Sequence, residues 1–419
     1  MNKIKLGDVM DVKRGTSLSG DYYSTSGDLV RLTLGNFKYP DCGFKPNTAK
    51  DDIYFVGEVK PEYIMKKGDI ITPLTEQVKG LLGNTATIPE SDKYIQSGDI
   101  GKIIPDESMI DKRFSYYLVS SPTVKKQLSA ASQQTKIRHT SPDKIKDCIA
   151  FIPDLYQQKK IAHLLDTINL LIQTNDSAIK QLESMAKTIY DYWFLQFEFP
   201  NEDGKPYKSS GGKMVWNDEL KREIPEGWKV KSMSENSLVV GGTPNRKNAT
   251  YWNGQIPWLT TSEINNSIIE PSKEFITEKG LKESAAKVIG KDSLIVAMYG
   301  LGTAGRVGYL TYPSTTNQAC CSISCSNKLE LCFLYFFMKN QQKYIDKIVT
   351  GSIQKNLNKE TIGNFIYALP SDEVLKKSGF ENYLAKMIQL TKENQELASL
   401  RDFLLPLLMN GQVTFKEDE

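Results

Sequence analysis

The chain has 419 residues, 40% of them apolar and 25% charged; 53 Lys and Arg nearly balance 50 Asp and Glu, giving a net charge of +3. That length supports two or three domains with their own cores, in a composition ordinary for a soluble protein. The charge neither demands nor excludes nucleic acid, because a local basic patch can sit within a near-neutral chain.

No apolar run approaches the roughly 20 residues that span a bilayer. The opening Met-Asn-Lys-Ile-Lys-Leu-Gly-Asp lacks a signal-peptide core, so no membrane partner and a cytoplasmic location are expected. Cys42, Cys148, Cys320, Cys321, Cys325 and Cys332 form no CxxC pair, and only His139 and His163 add imidazoles. Neither structural zinc nor a disulfide framework is expected, and the thiols read as small buried apolar groups.

In chain order, residues 1–153 read as short strands between Gly-rich turns. Leu29-Val-Arg-Leu-Thr-Leu and Asp69-Ile-Ile-Thr-Pro-Leu are strand-like. A helix is predicted over 114–128, then a polar loop from Ser132 to Thr140, a short helix or turn over 142–146 and a strand over 148–153. A long helix follows, over 157–194. Its apolar residues Ile161, Leu165, Ile168, Ile172, Ile179, Leu182, Ala186, Ile189 and Trp193 alternate spacings of four and three, with Asn175 at the one polar position. That is a heptad seam, a rod of about 50 Å that wants a long partner helix. A second seam lies at the C-terminus: Tyr383, Met387, Leu390, Asn394, Leu397, Leu404 and Leu408, broken only at Arg401. The two are read as partners. Between them, residues 199–228 form a Gly-, Ser- and Pro-rich connector, and Ile224-Pro-Glu-Gly-Trp reopens a globular pattern.

The second half repeats the first at about 220 residues. Lys66-Lys-Gly-Asp-Ile-Ile matches Gly290-Lys-Asp-Ser-Leu-Ile, and Phe114-Ser-Tyr-Tyr-Leu matches Phe333-Leu-Tyr-Phe-Phe. Asp143-Lys-Ile-Lys-Asp-Cys-Ile-Ala-Phe-Ile-Pro matches Glu360-Thr-Ile-Gly-Asn-Phe-Ile-Tyr-Ala-Leu-Pro. Each copy ends in Pro and runs into a long helix, a period that suits duplicated domains rather than a solenoid. The expected fold is α+β: two mixed-sheet domains separated by a pair of long antiparallel coiled-coil helices, with a pseudo-two-fold. The expected boundaries are 1–153, 154–198 (first helix), 199–228 (connector), 229–370 and 371–412 (second helix).

Catalytic signatures are missing. Gly300-x-Gly302-x-x-Gly305 has the form of a dinucleotide fingerprint, but the strand-like Arg306-Val-Gly-Tyr-Leu-Thr follows it where a helix would be needed. A glycine hairpin is the better reading. There is no Walker A pattern and no Pro-Pro for a methyltransferase loop. His139 and His163 have no recognisable catalytic partner, and His163 reads as a polar-face residue. No catalytic residue and no metal site are expected.

What remains is polar, loop-borne and duplicated. The first domain offers Lys13, Arg14 and Thr16, with Gln133, Gln134, Lys136 and Arg138. The second offers Thr243, Asn245, Arg246 and Lys247; Thr260, Thr261 and Ser262; Tyr299 and Arg306; and Ser352, Gln354, Lys355, Asn356 and Lys359. Arg, Lys, Gln and Asn read base edges, while Ser, Thr and Lys suit phosphates. For any one loop the plain alternative is solvated surface; recurrence at equivalent points favours DNA contact.

These residues carry a family resemblance. Gly241-Gly-Thr-Pro, Tyr251-Trp-Asn-Gly-Gln-Ile-Pro-Trp-Leu-Thr-Thr-Ser-Glu-Ile, Gly302-Thr-Ala-Gly-Arg-Val-Gly and Asn317-Gln-Ala-Cys resemble a target recognition domain. Gln157-Gln-Lys-Lys-Ile-Ala and Met185-Ala-Lys-Thr-Ile-Tyr-Asp-Tyr-Trp-Phe resemble a central conserved helix. Together they resemble the specificity subunit of type I restriction–modification systems over nearly the whole chain. Two departures stand in the first domain: Lys13-Arg-Gly-Thr replaces Gly-Gly-Thr-Pro, and only Gly83-Asn-Thr-Ala-Thr-Ile stands for the hairpin.

The resemblance implies a non-catalytic subunit that binds a bipartite target in double-stranded DNA, with the helix pair setting the spacing. It implies two modification subunits that methylate adenine N6, and restriction (motor-nuclease) subunits that join them. No cofactor is expected in this chain; S-adenosylmethionine, ATP and Mg2+ belong to the partners. The alternatives are a single-chain methyltransferase or nuclease with its own recognition domain, a DNA-binding subunit of a related type II system, and a coiled-coil adaptor.

Overall fold

The computed structural model describes residues 3–47, 53–76, 78–131, 138–300, 302–351 and 356–416. The chain divides into two compact units, residues 1–171 with 396–419, and residues 172–395. Each is α+β and each is built on the same plan.

In the first unit a four-stranded antiparallel sheet has the order Met10–Arg14, Ile100–Pro105, Ile70–Pro73, Ala86–Thr87. A two-stranded ribbon pairs Lys3–Lys5 with Ile149–Phe151. The strand Leu29–Arg31 runs parallel to Tyr94–Ile95, and Ser141 caps the short helix Pro142–Lys146 through the Lys144 amide. In the second unit the sheet order is Ser237–Val240, Cys320–Ser324, Ser293–Ala297, Val307–Leu310. The ribbon pairs Lys229–Ser232 with Ile366–Leu369. Trp252–Leu259 runs parallel to Thr315–Thr316, and Asn358 caps Lys359–Gly363 through the Thr361 amide. The repeat read from sequence is therefore a repeat of topology in the main sheet, the ribbon and the parallel strand pair.

The strands Ile70–Pro73 and Ser293–Ala297 are buried along their whole length, covered on both faces, which fits their largely apolar runs. Along Ser293–Ala297 the side chains alternate with the period of two that a pleat imposes. Leu294 and Val296 join the cluster that includes Phe333 and Leu334 of the helix Lys328–Gly351. Ile295 and Ala297 enter a separate cluster with Leu259 and Ile289. Ile70 and Ile71 divide in the same way in the first unit.

The predicted helix over 114–128 is two helices, Lys112–Val119 and Pro122–Ala131. Pro122 has no amide hydrogen and disfavours helix at the residue before it, so the break falls at Ser120 and Ser121. The strand read over 29–34 stops at Arg31. Thr33 and Asn36 then form a capping box around a turn of 3-10 helix, Leu34–Asn36.

The long central helix spans Leu155–Ile189 and closes in a wide π turn, Tyr190–Leu195. Its partner spans Phe380–Met409. The two run antiparallel within each unit. In the first, Arg401 donates to Asn169 at 3.3 Å and the Gln157 amide to the Phe415 carbonyl at 2.7 Å. In the second, Asn394 donates to Asp176 at 2.8 Å, and Phe194 and Phe380 lie 5.4 Å apart by ring centres. The seam holds as read: Ile161, Leu165 and Ala186 are buried, and His163 is exposed on the outer face.

Arg401, the one break in the second seam, is the end of a polar layer. It donates to Asp41 at 2.8 Å and to Asn169, which in turn donates to the Tyr117 hydroxyl at 3.0 Å. Tyr117 donates to Asp166 at 2.6 Å, and Asp166 accepts a forked pair of bonds from Arg113. A long cation inside a seam is tolerated here because every charged group in the chain of contacts has a counter-charge.

Candidate nucleic-acid interface

In each main sheet the first and third strands in spatial order run the same way, so their C-terminal ends share one edge. That edge collects the loops that the sequence singles out.

In the second unit Val240 leads into Gly241 and Gly242. The Gly241 amide bonds to the Cys320 carbonyl at 3.2 Å and the Gly242 amide to the Thr316 carbonyl at 2.8 Å. A side chain at Gly241 would lie 2.3 Å from the Thr316 carbonyl oxygen, and one at Gly242 would lie 2.3 Å from Ala285 backbone. Both positions therefore need glycine, and Thr243 is delivered to the edge, where its hydroxyl bonds to the Gln318 side chain. The Met298 amide bonds to the Ala319 carbonyl at 2.7 Å, placing Tyr299 beside Gln318. The Asn317 amide bonds to the Leu259 carbonyl at 2.9 Å and fixes the segment that follows, where Thr260 and Glu263 form a capping box around Thr261–Glu263. The Leu357 amide bonds to the Met298 carbonyl at 2.8 Å and brings Asn356 to the same place.

The glycine-rich segment is a hairpin, as read: Ser293–Ala297 pairs with Val307–Leu310, and Gly300, Gly302 and Gly305 all take positive φ. Arg306 sits at its return, 3.4 Å from the Asn265 side chain. Thr243, Thr260, Thr261, Ser262, Tyr299, Arg306 and Asn356 thus share one edge.

Arg246 is held differently. Its guanidinium lies over Trp252 at 4.0 Å and Trp258 at 4.6 Å and pairs with Glu274 at 2.7 Å. Asn245 turns its side chain back to the Lys247 amide, and Lys247 is exposed. Lys359 lies beside Ser234, Asn236 and Leu238, towards the start rather than the end of the strand Ser237–Val240. Ser352, Gln354 and Lys355 lie outside the described residues.

The first unit repeats the edge. The Gly15 amide bonds to the Ile100 carbonyl at 3.1 Å, and a side chain there would lie 2.3 Å from the Ser97 carbonyl oxygen. Gly15, within the Lys13-Arg-Gly-Thr that stands in place of Gly-Gly-Thr-Pro, is the counterpart of Gly241. Lys13, Arg14 and Thr16 surround it, and Arg14 donates to the Thr140 carbonyl at 3.3 Å. The Thr140 amide bonds to the Leu74 carbonyl at 2.8 Å, matching the bond from Leu357 to Met298. Arg138 pairs with Glu76 across two short strands and lies 3.6 Å from its buried carboxylate. Glu76 also accepts from the Gly80 and Leu82 amides at 3.0 Å. Gln133, Gln134 and Lys136 lie outside the described residues.

Two groups at these edges were not singled out from sequence. Gln318 is the partner of Thr243, and its place shows only once Cys320–Ser324 is put between the other strands. The capped turn Leu34–Asn36 is the counterpart of Thr261–Glu263; the shared signal was a Thr followed three residues later by Asn or Glu. Among the described residues no group of His, Cys, Asp and Glu could hold a metal ion, and no helix is long and apolar enough to cross a membrane.

The comparison with known proteins agrees with this duplication. Residues 1–184 and 225–398 each match the family described as type I restriction modification DNA specificity domain. The chain belongs to this specificity domain family. The type I restriction enzyme MjaIX specificity subunit of Methanocaldococcus jannaschii is 27% identical over 320 residues, 75% of this chain and 72% of that protein. The HindI specificity subunit of Haemophilus influenzae is 24% identical over 409 residues, 83% of this chain and 87% of that protein. The crystal structure of a type I system S subunit from M. genitalium covers 97% of this chain and 96% of its own at a TM-score of 0.56 and 16% identity, a likeness of fold. In this specificity-domain chain the two family matches each contain one of the glycine-built edges.

Proposed function

We propose that this chain is the DNA-recognition subunit of a type I restriction–modification complex, and that each glycine-built edge reads one half of a bipartite target. The observation that carries the reading is the duplicated edge itself. Two sheets of identical strand order each present hydroxyl, amide and cationic groups at the same corner, held by equivalent backbone bonds. Phosphate contacts position such an edge, and Gln, Asn and Arg side chains read bases from it.

The chain itself does no chemistry in this reading. Two modification subunits dock on the paired long helices, carry S-adenosylmethionine and methylate adenine N6. Restriction subunits with ATP and Mg2+ complete the assembly in the cytoplasm. The domains proposed are residues 1–153 and 229–370, with helical regions 154–198 and 371–412 and a connector over 199–228.

The test is exchange. Replacing residues 229–370 with the matching segment of a relative, then sequencing the methylome of the host, is expected to change one half of the methylated sequence and leave the other intact. A swap that altered both halves would contradict separate reading. Purified chain alone, offered labelled S-adenosylmethionine and duplex DNA, is expected to bind and to transfer no methyl group.

A further inference from the structure

The second unit contains a cavity that the proposed recognition chemistry does not use. It has a volume of about 140 Å³ and lies where the π turn Tyr190–Leu195 meets the hairpin strand Arg222–Pro225 and the helix Lys328–Gly351. Its walls are aromatic, with Phe194, Phe333 and Phe337 among them. Apolar cavities of about 150 Å³ accept a benzene ring.

Four polar side chains line it; the Tyr367 hydroxyl is already engaged, donating to Glu330 at 2.7 Å, which leaves three. Arg222 is half-buried; it donates to the Leu195 carbonyl at 2.7 Å and lies 4.4 Å from the Phe197 ring centre. Among the described residues it has no carboxylate partner, and burial pulls its pKa down, opposed only by the Tyr190 phenol. Tyr190 is only 3% exposed, and its hydroxyl makes no hydrogen bond with another described residue. Gln341 supplies an amide. A guanidinium taken partly out of water without a counter-ion is costly unless an anion meets it. The half-buried Arg113, Arg138 and Arg401 each have an acid beside them, Asp166, Glu76 and Asp41 in turn.

We propose that this cavity binds a carboxylate carried on a benzene-sized apolar body, the carboxylate meeting Arg222 and Tyr190 and the ring packing among Phe194, Phe333 and Phe337. Two sources have this chemistry, a free aromatic acid and the C-terminal aromatic residue of a docked polypeptide. The cavity shares no lining residue with the recognition edge.

Titration calorimetry of the full chain tests it, with benzoate as the probe and benzyl alcohol as the neutral match. Saturable benzoate binding is expected, with the alcohol weaker by about tenfold or more, the scale of one charge-assisted bond. Arg222→Gln is expected to lose benzoate to the same degree, Arg222→Lys to recover part of it, and Tyr190→Phe, which removes one oxygen from a packed ring, to weaken it severalfold. Circular dichroism establishes that each variant is folded. Equal affinity for acid and alcohol, no benzoate binding, or benzoate binding unchanged in folded Arg222→Gln would overturn the proposal. A short peptide ending in Phe, with its carboxylate free, separates the sources. Competition with benzoate at higher affinity identifies a polypeptide end; benzoate binding without competition identifies a free acid.

Discussion

Arg306 and Arg246 are both cations of the second domain, and their surroundings predict opposite consequences of removal. Arg306 sits at the hairpin return on the proposed recognition edge, and among the described residues its side chain has only a 3.4 Å contact to Asn265. Arg246 is spent on its own domain, over two Trp rings and beside Glu274. Each phosphate contact contributes about 0.9 to the slope of log affinity against log salt. Between 50 and 200 mM salt that is a factor of about 3.5 per contact. Arg306→Ala is therefore expected to flatten the slope by about 0.9, so that its binding defect shrinks about 3.5-fold across that range. Arg246→Ala is expected to leave the slope alone and to lower stability by about 1–2 kcal/mol, from two cation–π contacts at roughly 0.5–1 kcal/mol each and an exposed ion pair that adds little. Fluorescence anisotropy on a target duplex across the salt series reads the slopes, and urea unfolding reads the stabilities. The reasoning is refuted if Arg246→Ala flattens the slope while Arg306→Ala leaves it unchanged.

Three further outcomes are expected. Gly15→Ala and Gly241→Ala place a carbon against backbone oxygen and should each lower stability by about 2–4 kcal/mol, whereas Gly302→Ala, with open space but φ +74, should cost about 1–2 kcal/mol; a denaturant series in which all three behave alike would count against the glycine edges. Asn175 has a buried amide nitrogen with no hydrogen-bond partner among the described residues, so Asn175→Leu should raise the urea midpoint by the equivalent of about 1–2 kcal/mol, and a loss of stability would show that the amide is satisfied in solution. Burial pushes the thiols of Cys148, Cys321 and Cys325 up to about 11 and those of Cys320 and Cys332 up to about 12. Above pH 9 the unfolded chain gives up thiol protons that the native chain keeps, so stability is intact below pH 9 and falls as pH rises towards 11 and 12, by at most about 1.4 kcal/mol per pH unit for each thiol. Cys320→Ala should make that fall shallower, and an unchanged alkaline slope would show that this thiol is not protected.

Much of the architecture was legible because it rests on periodicity. A seam with spacings of three and four has one helical solution, and a segment repeated after about 220 residues is most simply a repeated domain. The helix over 142–146 was legible from Ser141 and Pro142, a cap and an N-terminal proline side by side. The break at Pro122 was written in the sequence and overridden by the apolar pattern on either side of it. The site was legible only in part. The residues that reach the edges were chosen for their chemistry, but chemistry alone does not separate Arg306 from Arg246, because the difference lies in whether Trp252, Trp258 and Glu274 are close by.

The sequence by itself determined the duplicated domains, the paired helices and the polar loops, since those follow from local pattern and from similarity between the halves. Tertiary structure decided which loops meet. Strand order in the two sheets puts Gly15 and Gly241 in equivalent places despite their different neighbours, and it puts Gln318 beside Thr243. It also turns Arg401 from a flaw in a seam into one end of a polar layer, and leaves Arg222 lining an aromatic cavity. The physical reason is common to all four: an ionic or hydrogen-bonded partner is chosen by proximity in space, and for these residues that partner lies tens to hundreds of positions away along the chain.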